Sequence, residues 1–326
     1  MYYRYCILIL LSVLFSHKID DIEIELYQPD GSSFQCYASG DQYYNWVHDQ
    51  DGYSIIQSSN DGYYYYAKFI SGQVVASQFR ADSPLPENSG INKYVRISRD
   101  EYLRKRSRFD TRDGERDAPT FGTINNINIF IRFADEEEFA TPRYIMDEPF
   151  NKPDGPSMKH YFDEVSYSQV EVLTHHFPIC DPSVNLSYQD QYPRSYYQPY
   201  NAQTNPNGYT ESNSTIREHT LLKNAVEFIY SEVPLGLDVD GDGDGYVDNV
   251  SFLVSGSSDN WSDLLWPHRW SLFSYTVYIN GAIVDSYNFN LSVGGSFDVG
   301  TLCHEFFHSM GAPDLYHYTD TGAPDA

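Results

Sequence analysis

Apolar and polar positions change period several times along the chain, and each change marks a different kind of element. Over residues 19–97, short aromatic and β-branched runs are broken about every ten residues by turn signals: Pro29-Asp30-Gly31, Ser39-Gly40-Asp41, Asp51-Gly52, Asp61-Gly62 and Ser71-Gly72. That rhythm predicts meandering hairpins, an all-β module. Residues 98–119 then lose the apolar pattern and concentrate basic charge, so they read either as a linker or as a solvated charged helix face. Within them Arg104-Lys105-Arg106-Ser107-Arg108 is open to trypsin-like cleavage. Beyond Thr123 the pattern is mixed. Ile127, Ile129, Ile131 and Phe133 alternate with polar residues, predicting one half-buried strand. Leu221, Ala225, Phe228 and Ile229 predict an amphipathic helix over 215–230, and Val250, Phe252 and Val254 another short strand. Val299, Leu302, Cys303, Phe306 and Met310 repeat at three and four, predicting a helix with one buried stripe. The sum is an α+β chain: a β module over 19–97, then a mixed domain over 120–326.

Ahead of these elements, residues 1–18 carry Arg4 and a ten-residue apolar run from Cys6 to Phe15. Ten helical residues reach about 15 Å, half of a bilayer's hydrocarbon core, so this is a signal peptide sooner than a membrane anchor. The expectation is a secreted protein with no stable membrane anchor.

Charge narrows the partners. Among 326 residues, 21 Lys and Arg face 46 Asp and Glu, a net charge of −25. Phosphate backbones and anionic membranes repel such a chain, which argues against nucleic acid, whereas metal cations suit it. With 30 Tyr and 19 Phe it is far too aromatic for an acidic disordered tail. Of the four cysteines, Cys6 leaves with the signal. Cys36, Cys180 and Cys303 then allow at most one disulfide and one free thiol, and the lack of a C-x-x-C pair excludes a zinc ribbon.

The chemistry concentrates on the last helix, His304-Glu305-Phe306-Phe307-His308-Ser309-Met310-Gly311-Ala312-Pro313-Asp314. Histidines four apart stack one turn above the other, so both imidazoles can reach one zinc ion. Glu305 points about 100° away from His304, beside the metal, where a general base takes a proton from water. Gly311 can end the helix in the left-handed conformation, and Pro313 sends Ala312 into an extended path. That turn can return Asp314 to the metal as third ligand. Two His and one carboxylate leave a position open, as catalytic zinc requires. A chance His-Glu-x-x-His has a probability of about 1–2% in such a chain, and the added Gly and Asp lower it to about one in ten thousand. Two ordinary core histidines are therefore a poor alternative.

The segment HEFFHSMGAPD resembles the extended zinc motif of the metzincin metallopeptidases, in the variant with Asp as third ligand. The following Pro313–Tyr316 is similar to the M6 family, the immune inhibitor A-like peptidases. Further likeness runs through Asn125–Phe133, Tyr161–Tyr167 and the Asp-rich run at 238–248. The resemblance implies a mixed sheet with a backing helix and an active-site helix. It makes His304, His308 and Asp314 zinc ligands and Glu305 the catalytic acid/base, in a secreted endopeptidase that acts on protein or peptide substrates. It also implies an N-terminal propeptide, which suits the β module. Metzincins place a methionine turn well after the motif. Here no Met follows Met310, so the expectation is a piece of a longer protein, with a truncated, inactive molecule as the alternative. No Glu follows Glu305 either, which leaves Asp314 as ligand and His317 as its nearest substitute.

A second cation site is expected at Asp238-Val-Asp240-Gly-Asp242-Gly-Asp244-Gly-Tyr-Val-Asp248, where five carboxylates in eleven residues repel one another unless a cation sits among them. Asp240, Asp242, Asp244, Gly245 and Asp248 follow the alternation of a calcium loop, with Asp238 as a further candidate ligand. Ser251 stands where an EF-hand carries its bidentate Glu, which argues against a full EF-hand, and a weaker structural calcium is expected. A solvated Asp-Gly loop is the plainer alternative. Other signals are slighter. His175 and His176 are adjacent and face opposite sides of a strand. Trp261, Trp266, Pro267, His268 and Trp270 either line a cleft or form a buried strand against the active helix. Some of the Asn-x-Ser/Thr sites at Asn185, Asn213, Asn249, Asn260 and Asn290 must be buried in a compact domain. For latency, Cys36 and Asp41 are the groups in the β module able to cover a zinc ion. The expected function is zinc-dependent peptide hydrolysis; the alternative is a non-catalytic secreted calcium-binding module derived from a peptidase fold.

Overall fold

The computed structural model describes residues 19–40, 44–58, 60–70, 72–106, 118–210, 212–257, 264–292 and 298–312. Its first part is the expected meander. Strands β1 (Ile19–Tyr27), β2 (Ser33–Gly40), β3 (Asn45–His48), β4 (Ser54–Gln57), β5 (Tyr64–Ile70) and β6 (Gln73–Arg80) pair in sequence order, each antiparallel to the next. Leu26, Cys36, Ile55 and Tyr66 form a small core of their own. The charged segment that follows is helical over α1 (Arg99–Arg106), so the helix-face reading holds there, without an apolar side. Residues 107–117 lie outside the described residues.

The second part is built on a mixed sheet. Its strands are β7 (Gly122–Arg132), β8 (Val170–Phe177), β10 (Val250–Val254), β11 (His268–Ser271) and β14 (Ser286–Leu291), ordered β11-β14-β10-β7-β8. The short β9 (Tyr188–Gln189) pairs with the end of β7. All pairings are parallel except β11 with β14, so β11 is an antiparallel edge. Parallel neighbours need crossovers, and crossovers lay helices over the faces. Here α2 (Arg143–Asn151), α3 (Met158–Val165) and α5 (Val299–Ser309) cover one face, and α4 (Ser214–Ile229) covers the other. A hairpin of β12 (Val277–Ile279) and β13 (Ala282–Val284) closes the α4 side. This is an α+β chain, with an all-β meander followed by a mixed sheet packed between helices.

Two expectations change. The strand through Ile127–Phe133 is not half-buried: Asn126, Asn128 and Phe130 are as fully buried as Ile127, Ile129 and Ile131. Its polar alternation faces a second layer of helices instead of water. On α4 the buried row is Leu221, Leu222, Ala225, Val226 and Ile229, whereas Phe228 is 53% exposed. At 100° per residue Phe228 sits about 90° from the centre of that row, where it rests on Tyr188. Cys36, Cys180 and Cys303 are all free thiols. No helix among the described residues is long and apolar enough to cross a membrane.

Candidate metal centre

Helix α5 is held at both ends by its own sequence. The Asp298 carboxylate accepts from the Thr301 amide (3.0 Å) and from the Thr301 hydroxyl (2.8 Å), capping the N-terminus. At the other end Gly311 takes φ +89°. The Gly311 amide donates to His308 O and the Ala312 amide to Phe307 O, each at 3.0 Å. This pair of bonds is a Schellman turn, as Gly311 led us to expect. Between the caps, Leu302, Cys303 and Phe306 pack on Phe150, Met158 and Phe162 of α2 and α3.

That packing turns the two histidines outward, both half-buried, with their Nε2 atoms 3.1 Å apart. Two nitrogens each about 2.05 Å from one zinc ion and 3.1 Å apart would subtend about 98°, close to the tetrahedral range. The Schellman turn adds a feature that no side-chain pattern announces. It carries the Ala312 carbonyl to 2.8 Å from His308 Nδ1, whose N–H donates to it. The Nε2 lone pair of His308 is thereby presented outward, the tautomer a metal needs. Glu305 is fully buried, and one of its carboxylate oxygens lies within 4.8 Å of a ligand nitrogen of each histidine. The donor set fits zinc. Asp314 and His317 lie outside the described residues.

The Asp-rich loop brings Asp240, Asp242 and Asp244 together, with carboxylate oxygens within 4.8 Å of one another. It does not bring Asp238 or Asp248 into that group. Asp248 is 1% exposed, and both of its oxygens accept from the Gly241 amide at 3.0 and 3.1 Å. Burial, with the charges of Asp242, Asp240 and Asp238 adding to it, pushes its carboxyl up to about 7. Asp238 accepts from the Asp240 amide at 3.3 Å. Asp248 thus closes the loop from inside, a role set by the strand that follows it.

The remaining candidates separate cleanly. His175 Nε2 meets Asn125 Oδ1 at 2.9 Å, while His176 faces the other side and reaches Asp147 at 2.8 Å, so they share no metal. Trp266, His268 and Trp270 are buried, and β11 packs beside α5, as a buried strand would; Trp261 lies outside the described residues. Asn185, Asn249 and Asn290 are buried, whereas Asn260 is outside the described residues. The latency role expected of Cys36 fails. Its thiol is 0% exposed in the β-module core, donates to Ile24 O, and is pushed up to about 12 by burial. A thiol sequestered in that core is closed to a metal ion. Asp41 lies outside the described residues.

Sequence reasoning missed a buried carboxylate–histidine pair behind the site. His268 has an acceptor at each nitrogen, Trp266 O at 2.6 Å and Glu218 Oε1 at 2.9 Å, and Tyr287 donates to the same Glu218 oxygen. Burial alone would drive the imidazole to neutrality, but Glu218 outweighs it and raises His268 above its usual value, with Glu305 contributing. The signal lay in Glu218 and Tyr287, two polar groups at core positions, but nothing local joined them.

No protein-family profile matches the chain, and no curated protein matches it.

Proposed function

We propose that this chain is the precursor of a secreted zinc-dependent endopeptidase with a metzincin-like, M6-type catalytic domain. The convergence of His304 and His308 Nε2 at 3.1 Å beside a buried Glu305 is the observation that carries this reading. His304 and His308 are the proposed metal-binding pair and Asp314 the third ligand. Bound there, zinc supplies Lewis-acid polarisation of the scissile carbonyl and of water. Glu305 accepts the proton of the attacking water and hands it to the leaving amine. Ala312 keeps His308 in the required tautomer throughout. The Asp240, Asp242 and Asp244 cluster supports a structural calcium, and the six-stranded module is the proposed propeptide.

Zinc content and casein cleavage test the reading, on the parent and Glu305→Gln, before and after trypsin treatment at residues 104–108. Zinc is expected in both, with cleavage by the parent and a loss of at least a hundredfold in the variant. Absence of zinc from the parent sinks the proposal. Zinc without cleavage in either form favours a non-catalytic, calcium-binding relative of such enzymes.

A further inference from the structure

The sheet is asymmetric in a way that stability alone does not require. Its α4 face is apolar across three strands, with Ile127, Ile129, Val250, Phe252 and Phe289 all at 0% exposure. Its α5 face carries a row of polar side chains that are equally buried: Asn126 and Asn249 at 0%, Ser251 and Asn288 at 2%, and Thr174 at 6%. The row is continuous. Asn126 Nδ2 donates to Thr174 Oγ1 (3.1 Å), and Asn126 Oδ1 accepts from Asn249 Nδ2 (2.7 Å) and from Ser251 Oγ (3.0 Å). It ends on the zinc-motif helix at two points. Ser309 Oγ, at 0% exposure, donates to Asn249 Oδ1 at 2.7 Å. Asn288 Nδ2 donates to the main-chain carbonyl of Glu305 at 2.9 Å and to Ser309 Oγ at 3.3 Å.

Burying so many amides and hydroxyls carries a desolvation cost that well-packed apolar residues would avoid, so their net gain lies in direction sooner than in stability. Residues 305 and 309 are one turn apart on the sheet-facing side of α5, each one position after a histidine. Fixing their azimuth therefore fixes that of His304 and His308. Apolar packing chooses which face of α5 is buried, but being non-directional it fixes the exact roll less sharply than hydrogen bonds at two points do. A roll of about 10° swings a nitrogen carried roughly 6 Å from the axis by about 1 Å. Metal–ligand distances tolerate only about 0.2 Å.

We infer that Asn126, Asn249, Asn288 and Ser309 are positioning residues that set the roll of α5 and so aim His304 and His308 at one metal ion. The inference rests on the zinc reading above and assigns work to four residues that touch neither metal nor substrate.

The test compares the parent with Ser309→Ala, Ser309→Thr, Asn288→Ala and, on the opposite face, Val254→Ala. Zinc affinity is measured by competition with a chromogenic chelator, and ligand geometry by the visible spectrum of the cobalt(II)-loaded protein. Ser309→Ala and Asn288→Ala are expected to bind zinc about tenfold more weakly with an altered cobalt spectrum. Ser309→Thr, which keeps the hydroxyl, recovers the parent's values. Val254→Ala lowers the melting temperature but leaves affinity and spectrum alone. Should Ser309→Ala fail to fold, Asn288→Ala is read in the same way, since it leaves the rest of the row intact. Parental affinity and spectrum in a folded variant overturn the inference, as does an equal loss in Val254→Ala. Failure of the parent itself to take up zinc removes the endopeptidase reading instead, and is recognised by the parent matching His308→Ala.

Discussion

His219 sits wholly buried on α4, its Nδ1 2.7 Å from Ser274 Oγ and its ring against Trp270 and Phe273. No polar atom among the described residues meets its Nε2. Burial holds it down to about 4, so it is neutral in the folded protein. Its neighbour Glu218 is also buried; burial pushes that carboxyl up, but its contact with His268 outweighs burial and holds Glu218 below the ordinary value. One residue of spacing thus separates an imidazole whose pKa is held down from a carboxylate that holds another imidazole's pKa up. The consequence for His219 is a definite pH dependence. Unfolded, it takes up a proton near pH 6.5; folded, only near 4. Between those values the unfolded chain binds more protons, so this contribution to stability is complete above 6.5 and declines on acidification towards 4. Urea unfolding at about pH 7 and pH 5 should show the parent losing about 2 kcal/mol more than His219→Phe, which keeps a ring and lacks the titration. Equal losses in the two proteins would refute the assignment.

Elements were the most legible level, and α5 shows both the reach and the limit of that. Its spacing and its terminating Gly311 are local features found where expected, whereas the N-cap Asp298, equally local, went unread. What spacing does not announce is that the Schellman turn delivers the Ala312 carbonyl to His308, because a main-chain oxygen leaves no trace in residue type. Gly311→Ala tests the coupling. A Cβ at φ +89° is strained, which should destabilise the protein by about 1–2 kcal/mol. It should also weaken zinc binding severalfold, because the hydrogen bond that sets the tautomer of His308 is disturbed. Thermal melting and zinc competition read the two effects separately, and unchanged zinc affinity in a destabilised variant would show the carbonyl to be incidental. For α4 the period was right and one face residue wrong: Phe228 lies at the margin of the buried arc, where spacing decides little.

Across the whole domain, the Asp-rich loop fastens parts that are distant in sequence. Asn125 of β7 donates to Asp238 O, the Val247 amide to Ile283 O on β13, and the Ile283 amide returns to Gly245 O. Neutralising Asp240, Asp242 and Asp244 with calcium should therefore stabilise the domain as a unit. Calcium at a hundredfold excess over its dissociation constant corresponds to about 2.7 kcal/mol, a rise of a few degrees in melting temperature. Asp242→Asn should abolish that rise, and EGTA should reverse it in the parent. A parent whose melting ignores both calcium and EGTA binds none there. At the same scale the six-stranded meander has its own core, which explains why its strands were readable from turn spacing alone: every pairing joins neighbours in sequence.

The sequence by itself determined what depends on residues within a turn or a hairpin of one another. Such features include the meander, the His304-Glu305-His308 face, the Gly311 stop of α5 and the crowding of acidic groups at 238–248. Only the tertiary structure decided which polar residues face inward. Asn126 and Asn249 are 123 positions apart, and neither is more than an alternating polar residue until both faces of β7 are covered. The same holds for Asp248 turning into its loop, for His268 meeting Glu218 in the core, and for Cys36 vanishing into a core. Periodicity reports that two faces of an element differ. Whether the second face meets water or another buried layer depends on what the rest of the chain brings to it.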